Sequence, residues 1–414
     1  MQERNKTDEE DRGSKDSLTD IIRTGAQQLI AQALKAEVAE LLATYAEQRD
    51  EQGHARVVLS GHHPKRDIQT GIGPVTVQVP KVRSRQGDPV TFHSALVPPY
   101  VRKTASVEAA IPWLYLKGIS TGEMQPALEA LVGPKAKGLS ASTVARLKQI
   151  WREEYAVWRQ QRLDADQWVY IWVDGIYSGL RAEQQRLCAL VVIGMNVHGE
   201  KQLLAMEDGM RESTQSWREV LLQLKGRGLT APALAIGDGA LGFWAALEEI
   251  FPGTRHQRCW CHKTQNVLNA LPKSMQPKAK QALQEIWRSE AKECAEKAFD
   301  VFLETYELKY PKATACLQKD REELLMFYRF PAAHWPSLRT TNPIESTFGT
   351  IRHRTARTKG CLTRDGMLHM MFKLGQCAEK TWRRLRGYRE LPKVIAGIQF
   401  ADGIEQTIPD SVAA

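Results

Sequence analysis

The chain has 414 residues, 43% of them hydrophobic, and a net charge of +9. That length exceeds one ordinary core and suggests two to four domains, and the basic balance favours a polyanionic partner. All seven cysteines lie at or beyond Cys188 without a paired framework, the N-terminus is polar rather than signal-like, and the longest apolar run, Leu187 to Val197, is too short for a bilayer. A reducing cytoplasm and no membrane partner are expected.

Residues 1–50 read as a charged, disordered tail and an amphipathic helix. Ser17 opens the helix with Asp20 as its capping-box partner, and Leu18, Ile21, Ile22, Leu29, Ile30, Ala33, Leu34, Leu41 and Leu42 recur at helical spacing. That stripe either packs on its own domain or forms a dimer contact. Residues 51–104 form a small basic β segment. Val75, Val77 and Val79 alternate with Thr76 and Gln78 after the turn Thr70-Gly71-Ile72-Gly73. Lys65, Arg66, Lys81, Arg83 and Arg85 flank this hairpin, either to track phosphates or to protect sheet edges. His54, His62 and His63 have no cysteines nearby, which argues against a zinc module. Residues 105–163 read as helices joined through Gly133-Pro134. They fit a helix-turn-helix whose second helix presents Ser142, Thr143, Arg146 and Lys148 to a major groove; a plain helical hairpin fits as well.

Residues 164–262 read as strands 168–174, 187–197, 201–206 and 233–238 with a helix over Thr214–Lys225. Three consecutive strands followed by alternating helix and strand is the order of a ribonuclease-H-like fold. The expected whole is a multidomain α+β chain: N-terminal helical and small β DNA-binding segments, then a ribonuclease-H-like α/β catalytic core interrupted by an all-helical insertion. Asp174 ends the apolar run Trp168-Val169-Tyr170-Ile171-Trp172-Val173, and Asp238 ends Ala233-Leu234-Ala235-Ile236-Gly237. In that topology the first and fourth strands are neighbours, so the two carboxylates can meet. Each also sits in an Asp-Gly turn dipeptide. Asp208-Gly209 has the same form, but it precedes Ser213 and a helix and belongs to the third strand, so Asp208 reads as structural.

Residues 263–335 read as the helical insertion, with helices such as Gln276–Thr305 and Lys319–Phe330. The core resumes over 336–395, and 396–414 form a tail. Glu345 follows Asn342-Pro343, which suits an N-cap, a first helical position and a capping-box glutamate. Yet Glu345, Phe348, Gly349 and Arg352 share a helix face. Arg339 to Arg389 holds 12 Lys/Arg and only 3 Asp/Glu, which invites a polyanion. Trp335 lies just before this helix, where it either packs against the insertion or stacks on an unpaired base.

The stretch Arg255-His256-Gln257-Arg258-Cys259-Trp260-Cys261-His262, together with Asp174-Gly175, Asp238-Gly239 and Asn342-Pro343-Ile344-Glu345-Ser346, resembles the bacterial mutator-type insertion-sequence transposases, relatives of the eukaryotic mutator-like elements. The resemblance runs from about residue 17 to about 395. It implies a DDE triad of Asp174, Asp238 and Glu345 holding two Mg²⁺ or Mn²⁺ ions. It also implies an active-site support motif at Cys259 and His262. Double-stranded DNA (terminal inverted repeats and target) is the implied partner, bound near the nucleoid by a homodimer or higher oligomer. Candidate DNA-binding residues are Lys65, Arg66, Arg83, Ser142, Thr143, Arg146, Arg352, Arg354, Arg357 and Lys359. The implied chemistry is metal-dependent cleavage at the element end, then attack of the freed 3′-OH on another phosphodiester. Cys259, Cys261, His262 and His256 are zinc ligands by type, but their spacing is too tight for a two-knuckle site and no second Cys/His pair follows. Two alternatives stay open: a structure-specific nuclease on the same fold, and a domesticated DNA-binding protein or repressor without catalysis.

Overall fold

The computed structural model describes residues 17–85, 89–119, 123–132, 141–179, 186–209, 213–239, 241–357 and 363–406. The chain divides into two compact units, Met1–Val144 and Ala145–Ala414. The boundary falls inside a helix of the predicted helix-turn-helix. The Gly133-Pro134 turn of that motif lies outside the described residues.

In the first unit, helix α1 (Ser17–Thr44) lies on two antiparallel strand pairs. Strand β1 (Val57–His62) pairs with β4 (Pro80–Ser84), and β2 (Arg66–Thr70) pairs with β3 (Gly73–Val77). The rear of the helical stripe packs at home: Leu34 joins Ile68, Val75, Val77 and Val97, and Val38 joins Val57, Val82 and Phe92. The front of the stripe does not, and Leu18, Ile21, Ile22 and Leu29 are exposed. The β2–β3 turn closes as its sequence predicts. Thr70 Oγ1 donates to the Gly73 carbonyl at 2.6 Å, and Gly73 takes φ +98° beneath the Arg23 side chain. The unit continues with α2 (Ala105–Leu116) and α3 (Met124–Val132).

The second unit opens with the body of α4 (Ala141–Arg159) and centres on a five-stranded sheet. Its strands are β5 (Trp168–Ser178), β6 (Leu187–Asn196), β7 (Lys201–Asp208), β8 (Leu234–Gly237) and β9 (Arg255–Arg258), in the order β7-β6-β5-β8-β9. β5, β6 and β7 are antiparallel neighbours, whereas β8 and β9 run parallel to β5. Two helices, α5 (Thr214–Gly226) and α6 (Leu241–Ile250), supply the connections around β8. Strand β5 is apolar on both faces because both are covered. Ile171 and Val173 meet Trp217, Leu221 and Leu224 of α5 and Phe243, Ala246 and Leu247 of α6. Tyr170 and Trp172 point the other way. The Tyr170 hydroxyl lies 2.9 Å from His334 Nδ1, and Trp172 Nε1 donates to the Ser337 carbonyl.

The insertion is helical: α7 (Trp260–Asn269), α8 (Gln276–Arg288), α9 (Lys292–Tyr306), α10 (Pro311–Gln318), α11 (Arg321–Leu324) and α12 (Trp335–Leu338), with 3₁₀ turns between the last two. The helix expected over Gln276–Thr305 is two helices. Ser289 takes ψ 143° and Ala291 is extended, which breaks the ladder. The chain then returns through α13 (Asn342–Arg357) and α14 (Arg364–Glu379), whose buried faces cover the sheet, and ends with α15 (Leu391–Ile395), β10 (Phe400–Ala401) and β11 (Ile404–Glu405). Among the described residues no helix is long and apolar enough to cross a membrane.

Candidate active site

Strand β5 does not end at Asp174. It pairs with β6 as far as Ser178↔Leu187, so Asp174 lies within the strand, opposite Val191. The Gly175-Ile176-Tyr177 continuation looked like a turn, but the ladder to β6 holds it extended. Asp174 is buried, and one of its carboxylate oxygens accepts from Gly175 N at 2.8 Å. It shares a sheet face with Tyr170 and Trp172, since side chains alternate along a strand.

Asp238 follows the last residue of β8. The β5–β8 register runs Tyr170↔Leu234, Ile171↔Ala235, Trp172↔Ile236. Continued by two positions, it sets Asp174 level with Asp238 on adjoining strands, which lie about 4.8 Å apart in any sheet. Gly239 then turns the chain with φ +96°, a left-handed conformation that favours glycine, and the Arg258 guanidinium packs against it. A Cβ at 239 would sit 0.4 Å from Arg258 Nη1.

Three short connections bring the remaining parts to this strand end. Cys259 N donates to the Gly237 carbonyl at 2.8 Å, which fixes the head of α7 beside Asp238. Trp260 N donates to the Arg339 carbonyl at 2.9 Å, which ties the same head to the approach to α13. Thr341 N donates to Cys259 Sγ at 3.3 Å. Glu345, in the first turn of α13, is thereby held against His262, in the first turn of α7, with Oε1 3.6 Å from Nε2.

Thr341 is the hub of this junction and was not singled out from sequence. It is fully buried. Its hydroxyl lies 3.3 Å from Glu345 Oε1, 3.4 Å from Cys259 Sγ and 3.4 Å from His262 Nδ1. Thr341 also takes the capping position that Asn342 was expected to hold. Its carbonyl accepts from Ile344 N and Glu345 N, and Asn342 is already helical. A threonine directly before Asn-Pro was the available signal.

The electrostatics follow from the packing. Hydrogen bonds from Cys261, His262 and Thr341 hold the Cys259 thiol well below its usual range, despite burial. Its position at the head of α7 favours the thiolate too. His262 is pushed up to about 9, chiefly by its hydrogen bond and charge interaction with Cys259, then by the charges of Asp174 and Asp238. The hydrogen bond to Cys259, and next desolvation, raise the thiol of the exposed Cys261. Both directions favour a thiolate beside an imidazolium, among carboxylates.

Among the described residues, Cys259, His262 and Glu345 form a group of potential ligands, with atoms all within 4.8 Å of one another. Asp174 and Asp238 adjoin this set but are outside it. Sequence spacing showed Cys259 and His262 but not the third donor, which comes from α13.

Other candidates fall differently. Asp208 forms a bidentate pair with Arg364, two bonds of 2.6 Å, a distant partner rather than a local turn or cap. Three of the twelve basic residues from Arg339 to Arg389 are paired with distant acids: Arg364 with Asp208, Lys373 with Glu154 and Arg384 with Glu200. Arg352 is exposed, with its guanidinium 5.6 Å over the buried Phe348 ring. Trp335 is buried, with Nε1 donating to the Phe330 carbonyl and its ring edge-on to Phe327 and Tyr328, an arrangement that leaves no face for a base. In the first unit Lys65 and Arg83 are exposed, while Arg66 is committed to the Val97 and Pro98 carbonyls. Arg146 is exposed on α4, which also carries Ser142 and Thr143; Arg354 and Arg357 lie on α13. The side chains of those last four, and Lys359 altogether, lie outside the described residues.

A sheet with acids on its two central neighbouring strands, faced by a helix bearing a third acid, defines an α/β protein with an acidic site at one strand end. The chain belongs to the Mutator family of transposases, whose family model matches residues 1–382. It is 51% identical over 290 residues to the transposase for insertion sequence element IST2 of Acidithiobacillus ferrooxidans, covering 69% of this chain and 98% of that one. It is 48% identical over 293 residues to the transposase for IS6120 of Mycolicibacterium smegmatis, covering 71% and 90%. The transposase for ISRM5 of Rhizobium meliloti is 27% identical over 377 residues, 90% of each chain.

Proposed function

We propose that the chain is a DDE transposase with a ribonuclease-H-like core, which binds the terminal inverted repeats of an insertion sequence and catalyses DNA cleavage and strand transfer. The observation that carries this reading is the junction at Gly237, Cys259, Arg339 and Thr341. It holds Glu345 at the strand end where Asp174 and Asp238 stand level. The sheet order, with three antiparallel strands and two more added in parallel beside the first, also supports it.

The donor chemistry fits hard divalent cations, since three carboxylates offer only oxygen. Asp174, Asp238 and Glu345 would hold two Mg²⁺ or Mn²⁺ ions, which when bound supply an activated nucleophile and neutralise charge on the attacked phosphate. Glu345 must turn from His262 towards the aspartates to join them. Thr341 and Cys259 hold the head of α13 while it does so. Arg352, one turn further along α13 than Phe348, is positioned to meet a DNA phosphate. Water first opens the phosphodiester at the element end and leaves a 3′-OH. That hydroxyl then attacks a target phosphodiester and displaces its 3′ oxygen, with no covalent protein–DNA intermediate. Synapsis of two ends calls for at least two subunits.

The test is an end-joining assay with purified protein, a labelled terminal-repeat duplex and Mg²⁺ or Mn²⁺. Asp174→Asn, Asp238→Asn and Glu345→Gln are each expected to abolish joining while duplex binding persists. Substantial joining by any one of them removes that residue from the triad. Cleavage without joining in the parent protein would favour a nuclease, and specific binding without cleavage a repressor.

A further inference from the structure

Glu345 lies against a buried sulfur and an imidazole. On the triad reading the carboxylates of Asp174 and Asp238 call for it as well. Cys259 Sγ, the His262 ring and the Glu345 carboxylate already lie within 4.8 Å of one another. The Nε2–Oε1 separation is 3.6 Å, close to the ~3.3–3.8 Å edge of a tetrahedron built on bonds of about 2.0–2.3 Å. The His262 and Glu345 side chains keep 35% and 36% of their exposure, so an ion can reach the set from solvent. Three different elements supply its rigidity: β9 leads into Cys259, α7 carries His262 and α13 carries Glu345.

We propose that Cys259, His262 and Glu345 form a site for a thiophilic divalent cation, Zn²⁺ or Cd²⁺, and that occupation of this site withholds Glu345 from Asp174 and Asp238 and so switches off strand transfer. Sulfur and imidazole donors favour Zn²⁺ and Cd²⁺ over Mg²⁺, which takes hard oxygen ligands. The two sets compete for one carboxylate, so the two kinds of ion exclude each other there. The inhibitory clause rests on the triad reading above; the binding clause does not.

The test begins without DNA. The full-length protein is titrated with Cd²⁺ while the ultraviolet sulfur-to-cadmium charge-transfer band is recorded. One equivalent is expected to saturate the band, Zn²⁺ to displace the Cd²⁺, and excess Mg²⁺ to leave it. Cys259→Ser is expected to lose the band. His262→Gln and Glu345→Gln keep every thiol and the buried Cys259, and each is expected to weaken Cd²⁺ binding by ~10-fold or more. A band that survives in Cys259→Ser, or an affinity unchanged in both other variants, overturns the site. The second arm adds Zn²⁺ to a Mn²⁺-driven joining reaction, with loss of joining and recovery on chelation expected. Joining indifferent to Zn²⁺ at concentrations that displace Cd²⁺ overturns the inhibitory clause. A protein that joins no ends in any metal refutes the triad reading, while the cadmium titration still decides the site.

Discussion

Replacing Thr341 by valine tests the junction most directly. Valine keeps the shape of threonine but removes the hydroxyl, so the change is chemical rather than steric. The backbone N–H of residue 341 still reaches Cys259 Sγ; what is lost is the hydroxyl set between Glu345, Cys259 and His262. With one proton, that hydroxyl donates to a single acceptor and accepts from His262. Its separations of 3.3–3.4 Å put each bond at the weak end. One weakened bond to a charged group plus the cost of leaving buried partners unpaired comes to about 2 kcal/mol. For a unit of this size that is a drop of roughly 4–8 °C in unfolding midpoint. Tryptophan fluorescence is the assay, because Trp113 alone of the 11 tryptophans precedes Ala145 and the signal reports the second unit. Strand transfer at a temperature where the variant stays folded is expected to fall about 10-fold, as the head of α13 loses part of its anchor to Cys259 and His262. An unchanged midpoint with unchanged joining would refute the hub role of Thr341.

Further outcomes follow from other contacts. Gly239→Ala combines a left-handed backbone with displacement of the Arg258 guanidinium, and about 2 kcal/mol of stability is expected to go, read by denaturant midpoint. Adding Arg258→Ala removes the displaced group but not the backbone strain, so it should restore part of the loss. Burial pushes the Glu379 carboxyl up to about 7 against an ordinary value near 4.5. The folded state therefore keeps a proton that the unfolded chain releases, and stability falls as pH rises from about 4.5 through about 7. Glu379→Gln should flatten this limb and be the more stable protein above pH 7. Asp208→Asn breaks the bidentate pair with Arg364 at a half-exposed site and is expected to cost about 1 kcal/mol with joining intact. Loss of joining as complete as in Asp174→Asn would reverse the assignment of Asp208.

The two aspartates were legible because each closes an apolar run that only a buried strand explains. The neighbouring of their strands followed from element order. Strand β9 was harder: Arg255-His256-Gln257-Arg258 has no apolar residue, and it is held by its parallel ladder to β8 rather than by its side chains. The extension of β5 past Asp174 was hidden for a related reason, since a ladder to β6 overrides the turn preference of Asp-Gly. Charge counting could not show which members of the basic stretch after Arg339 are paired. Its partners Asp208, Glu154 and Glu200 lie far off in sequence, and pairing through space is invisible to a local tally. The helical stripe of α1 is core only in part. Leu34 and Val38 are core, while Leu18, Ile21 and Ile22 stay on the surface.

Chain order gives the junction a consequence for biosynthesis. Strand β5 is among the first parts of the second unit to leave the ribosome, yet Glu345 follows Asp238 by about a hundred residues, after the whole helical insertion. At roughly 5–20 residues per second, translation leaves an interval on the order of 10 s in which the aspartates exist without their partner. On the triad reading, a nascent chain, or one truncated before Glu345, lacks the third carboxylate, and α13, made late, completes the site only once the sheet it covers has formed.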